Sequence, residues 1–113
     1  MSKYLAIFHG PASENDMDEF TPEQRQQFMD AWKKWAQDNK EALVDPGTPL
    51  GKTKQVTQDN ISSTTNDLVT YTIIQADSHD DAAKIFLTHP HATLFPGSSI
   101  EVMECLSVPE NMF

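Results

Sequence analysis

Tyr4 to His9 is a short run, apolar on both faces and closed by Gly10-Pro11. Such a run predicts a strand buried at the centre of a sheet. Leu68 to Ala76 predicts a second and stronger one: Val69, Tyr71 and Ile73 fall on one face, Leu68, Thr70, Thr72 and Ile74 on the other. Ser99 to Leu106 reads as the last strand. Leu50 to Thr57 also alternates, with Lys52 and Lys54 on one face, and lysines along a strand suit an exposed sheet edge. Two blocks have a helical period instead. Phe28, Trp32, Trp35 and Ala36 recur at that spacing, and Ala82, Ala83, Ile85, Phe86 and Leu87 supply the buried side of a second helix.

Turn and cap residues set the boundaries. Thr21-Pro22-Glu23-Gln24 opens the first helix, with Thr21 as N-cap, Pro22 at the first helical position and Gln24 completing a capping box. Ser78 and Asp81 form a second box, and Pro90 ends that helix. Asp45-Pro46-Gly47 is a turn, Pro11 to Phe20 a polar acidic loop, and Gln58 to Asp67 a long hairpin loop. The resulting order is β-α-β-β-α-β, an α+β fold of the ferredoxin-like kind: a four-stranded antiparallel sheet with two helices on one face. Its first and third strands are central, and here they are apolar on both faces while the helices cover only one. The cheapest cover for the other face is a second copy of the chain.

At 113 residues the chain makes one domain, residues 1–113, small enough to gain from such cover. Eight basic against 17 acidic residues give a net charge of −9, a field that repels phosphate backbones and anionic membranes. Neither nucleic acid nor membrane is an expected partner. Cys105 is the single cysteine; in an apolar strand with no cation nearby, it reads as an inert buried thiol. Met1 to Leu5 runs straight into a strand pattern without a signal peptide's apolar core, so a reducing cytoplasm is the expected compartment.

The candidate chemistry lies in three histidines. His9 ends the first strand, and His89 and His91 flank Pro90 where the second helix stops. In the expected topology the end of the first strand and the start of the last lie side by side, so His9, His89 and His91 are predicted to edge one cleft. Imidazoles there have the neutral-range pKa that general acid–base catalysis needs. The plainer reading is separate histidines, with those after the helix answering its dipole. Three imidazoles are also a partial zinc set, but no fourth ligand is evident, and no metal or cofactor is assigned. His79, in the first turn of the second helix, is expected to be exposed. One of Trp32 and Trp35 is expected in the core, the other at a cleft or dimer seam. Tyr71 and Glu101 are candidates for the space between two sheets.

The whole chain resembles the YCII-related family, including its DGPF-type members. The resemblance rests on Tyr4-Leu5-Ala6-Ile7-Phe8, the Trp-containing first helix and Leu43-Val44-Asp45-Pro46-Gly47-Thr48-Pro49-Leu50. It continues in Ile73-Ile74-Gln75-Ala76-Asp77-Ser78 before Asp81-Ala82-Ala83, and in His89-Pro90-His91 followed by Gly97-Ser98-Ser99-Ile100-Glu101-Val102. It implies the dimeric α+β-barrel version of the ferredoxin-like fold. The chain departs from the family in two places. The Asp-Gly-Pro-Phe run is absent from Asn60 to Asp67, and the family's proposed His–Asp pair is replaced by Gln24 and His89. That pair is therefore not carried over.

Two functions stay open on this reading: a small-molecule enzyme using His9, His89 or His91 as acid–base groups, or a non-catalytic module that binds a small molecule or another protein. A structural or regulatory role within an assembly is a third. A homodimer is expected in each case.

Overall fold

The computed structural model describes residues 1–10, 21–94, 97–109 and 111; the expected loop from Pro11 to Phe20 and the Met112-Phe113 end lie outside them. The described elements are β1 (Ser2–His9), α1 (Pro22–Asp38), β2 (Leu43–Asp45), β3 (Thr53–Val56), β4 (Ile61–Thr64), β5 (Leu68–Ala76), α2 (His79–Ile85), a 3₁₀ turn (Phe86–Thr88), α3 (Pro90–Leu94) and β6 (Ser99–Glu104). Four strands form an antiparallel sheet in the order β2-β5-β1-β6. The apolar strands β1 and β5 are central, as their composition predicts.

The strand period of two divides the sheet's residues between two environments. Tyr4, Ala6 and Phe8 of β1 and Thr70, Thr72, Ile74 and Ala76 of β5 are buried on the face that carries the helices. Trp35 of α1, Ala82 of α2 and Phe86 complete that core, with Trp32, Leu43, Ile100 and Val102 packed at its margin. Phe8 lies 5.6 Å from Trp32, stacked, and meets Phe86 edge-on at 5.9 Å. Leu5, Ile7, Tyr71 and Ile73 take the opposite face and are half-exposed, with Met103 exposed beside Leu5.

The first capping box forms in full: Gln24 N–H donates to the Thr21 hydroxyl at 3.1 Å, and Thr21 N–H donates to Gln24 Oε1 at 2.9 Å. Ser78 caps α2 through Asp81 N–H at 3.1 Å. Only Ala82 and Phe86 of the expected apolar side are fully buried. Ile85 is half-buried, and Ala83 and Leu87 face solvent. The chain changes pitch to a 3₁₀ turn at Phe86, which shortens the expected buried stripe. Pro90 does not simply stop the helix; it begins α3, a position that tolerates its missing N–H.

The lysine-bearing strand is not the sheet edge. Residues 43–50 take that place along β5, through the β2 pairing, the Pro49–Thr70 bridge and Leu50 N–H donating to Val69 O at 2.9 Å. The Thr70 and Thr72 hydroxyls donate to the Thr48 and Pro46 carbonyls at 2.8 and 3.2 Å. At Leu50 the antiparallel run has reached the start of β5, and no sheet remains beside it. Lys52 and Lys54 therefore belong to a separate hairpin, in which Thr53–Val56 pairs with Ile61–Thr64 inside the expected loop. Gly47 is what lets residues 43–50 lie so close. Its φ is +79°, and a Cβ there would stand 1.7 Å from the Tyr71 carbonyl oxygen. Cys105, expected to be buried, is exposed just past β6.

Truncating the buried Trp35 to Ala is expected to cost about 3–5 kcal/mol in urea unfolding, whereas Met29→Ala on the exposed side of the same helix stays within about 0.5 kcal/mol. Comparable losses would mean that α1 is docked by another face.

Candidate functional site

His9, His89 and His91 all reach the end of the sheet where β1 finishes and β6 begins. Phe8 and His9 are consecutive, so their side chains leave opposite faces of the sheet. Phe8 lies among the helices, 4.8 Å from the His89 ring and 5.2 Å from that of His91. The His9 ring turns to the open face. The three imidazoles thus share a sheet end but lie on opposite faces of it, His89 and His91 beside Phe8 and His9 on the other.

His89 is fully buried in an aromatic nest. Its ring is 4.3 Å from Trp32 and 4.5 Å from Trp35, at 85° and 66°. His91 N–H donates to its Nδ1 at 3.0 Å, so Nδ1 carries no proton and the neutral ring holds its hydrogen on Nε2. Among the described residues Nε2 has no hydrogen-bond partner. The steep inclination to two indoles is the geometry in which an N–H meets an aromatic face. Burial pushes the His89 pKa down to about 3, with His91 adding to the effect. A nitrogen that weakly basic is poorly suited to take a proton near neutrality.

His91 is buried as well, and its Nε2 donates to the His9 carbonyl at 2.8 Å. Burial lowers its pKa, and the bond to that carbonyl opposes the shift. His89 and His91 therefore latch the loop after α2 onto the end of β1. Pro90 sits buried between them.

His9 is in a different environment. Its Nδ1 lies 3.0 Å from Asp67 Oδ1, and its Nε2 is paired with Glu101. The ring is 23% exposed, and the two carboxylates are 66% and 67% exposed. The hydrogen bond that His9 donates to Asp67 raises the His9 pKa; partial desolvation opposes it, and the charges of Asp67 and Glu101 reinforce it. Asp67 is lowered in return, chiefly by the same bond. Asp67 escaped the sequence reading because it was counted as loop. Glu101 was placed near the open face but not beside His9. The usable signal was register: Ile7 opposes Glu101 and His9 opposes Ser99, so Glu101 and His9 are diagonal neighbours on one face.

His79, exposed as expected, donates from Nε2 to the Val102 carbonyl at 2.8 Å and stacks on Tyr4 at 5.2 Å. Trp35 is the core tryptophan, its indole N–H donating to Ile85 O at 3.0 Å, and Trp32 is half-buried. An open groove between α1 and the Thr88–Thr93 stretch is lined by Lys34, Trp35, Asp38, Asn39 and Pro90, and by none of the three histidines. Among the described residues, no group of three or more His, Cys, Asp or Glu is placed to hold a metal ion. No helix among them is long and apolar enough to cross a membrane. No protein-family model matches the chain, and no curated protein matches it.

The two kinds of histidine respond to pH in opposite senses. His9, with its pKa raised on folding, contributes stability that is complete below about pH 6.5 and is lost as pH rises through its folded value. Nuclear magnetic resonance titration should find His9 above the ordinary histidine value and Asp67→Asn returning it toward that value. An unmoved His9 would mean that the pair does not form in solution. His89, with its pKa depressed, works the other way. The unfolded chain binds a proton below about pH 6.5 that the native ring refuses, so stability falls between there and about pH 3. The loss at pH 5 is roughly 2 kcal/mol from this group. Unfolding free energies measured from pH 7 to 5 should fall less steeply in His89→Gln, whatever that variant's absolute stability. An unchanged slope would refute the buried neutral ring.

Proposed function

We propose that the chain is a binding module that works as a pair, two copies closing their open sheet faces into the ferredoxin-like, dimeric α+β barrel that the YCII-related resemblance implies. One observation carries this reading. Leu5, Ile7, Tyr71, Ile73 and Met103 form a continuous apolar surface on the sheet face without helices. A monomer in water gains nothing from such a surface, and a second copy of the same face covers it by symmetry. The binding reading is preferred over the enzyme because His89 and His91, two of its three acid–base candidates, are neutral, enclosed and occupied in holding a loop.

The enzyme reading keeps one specific support, the His9–Asp67–Glu101 cluster. A carboxylate on Nδ1 orients the ring and raises its basicity, leaving Nε2 to exchange a proton with a small molecule that displaces Glu101. In that case His9 is the acid–base group and Asp67 its positioning partner. A screen of small carbonyl and ester compounds, read as turnover lost in His9→Gln, would favour this reading over the binding module.

Light scattering at micromolar concentration is expected to give twice the chain's mass, consistent with a standard interface of about 1,600 Å². Replacing Ile7 with Lys, in the middle of the open face, should shift the chain to monomer while leaving its circular dichroism unchanged. A wild-type chain that stays monomeric at that concentration would rule the paired barrel out.

A further inference from the structure

Among the described elements, the strands of the β3–β4 hairpin pair only with each other. Every residue of its two strands is exposed apart from the half-buried Thr53. A two-stranded hairpin alone in water is marginal at best. This hairpin arm also has two unlike faces. Val56 and Ile61 oppose each other beside the turn, 72% and 66% exposed, on the same face as Lys54 and Ser63; Thr53, Gln55, Ser62 and Thr64 make the other. A cross-strand aliphatic pair stabilises most when something covers it.

We infer that this arm docks, through Val56, Ile61 and Lys54, on a second copy of the chain, next to that copy's open sheet face. The inference rests on the paired reading above and specifies which segment holds the pair together. Complementarity selects the occupant. The chain carries −9 overall, and the strand leading to the aliphatic pair brings Lys52 and Lys54, with Asp59 alone opposing them in the turn. The rim of the open sheet face offers the reverse charge, the exposed carboxylates of Asp67 and Glu101. Both arm and face belong to every copy, so a two-fold axis lets each protomer give an arm and receive one. The arm leaves the body at Gly51 and returns at Asp67, the end of the sheet where those carboxylates stand.

Sedimentation equilibrium on the full chain tests this, comparing wild type with the double variant Val56→Ser, Ile61→Ser and with Lys54→Glu. All three side chains are exposed in a single protomer, so folding should be preserved; unchanged circular dichroism and an equal unfolding midpoint at high dilution verify that. The expected result is a wild-type dimer whose dissociation constant rises at least about tenfold in the double variant. In Lys54→Glu it should rise more at low salt than at high salt. Amide hydrogens of residues 53–64 should also exchange more slowly in concentrated than in dilute wild-type protein. A wild-type dimer whose strength and arm exchange are indifferent to both variants would overturn the arm inference and leave the paired barrel standing. A wild-type monomer would overturn both.

Discussion

The period of two along a strand, applied at Phe8 and His9, is the constraint on which most of this structure turns. β1 lies between β5 and β6, so both of its faces matter. Phe8 enters the helix-covered core and becomes the surface against which His89 and His91 pack. His9, one residue on, is carried to the other face and meets Asp67 and Glu101. Its backbone carbonyl nonetheless accepts from His91. A single residue thus belongs to both sides: its main chain anchors a buried imidazole, and its own side chain is an imidazole held between two exposed carboxylates. Burial and carboxylates push two neighbouring groups of the same chemical type in opposite directions.

Much of the fold was legible because the sequence signals were local. The apolar strands at Tyr4 and Leu68, the capping box at Thr21 and the cap at Ser78 each depend on residues a few positions apart, and each forms where expected. The exchange of roles between residues 43–45 and 50–57 was not local. Leu50 to Thr57 alternates convincingly, yet the sheet edge goes to a three-residue strand that precedes a Pro-Gly-Thr-Pro stretch. The Thr70 and Thr72 hydroxyls hold that stretch against β5, and a glycine allows the close approach. Such an edge is built from long-range side-chain to backbone bonds, which leave no periodic trace. The hairpin follows from a count of length, because residues beyond Leu50 run past the start of β5.

The histidines show the same division. Topology placed all three at one sheet end, since antiparallel neighbours bring the end of β1 to the start of β6. Which side of the sheet each ring occupies depends on whether a strand residue or a loop residue carries it. His9 inherits its direction from β1, whereas His89 and His91 take theirs from the turn around Pro90. The carboxylates on His9 come from β6 and from the loop before β5, two segments that only the register brings together.

The central place of β1 also has a consequence for synthesis. Tyr4 pairs with Ile74 on one side and with Glu104 on the other, so this strand emerges long before either neighbour exists. At roughly 5–20 residues per second, several seconds pass with an apolar strand bearing two unpaired edges. Among the described elements α1 is the first to follow that packs on it, since Trp32 stacks on Phe8. The complete capping box at Thr21 favours this helix locally, without waiting for the sheet. The central strand of the sheet is thus the one whose two hydrogen-bonding edges are completed last, by β5 and then by β6.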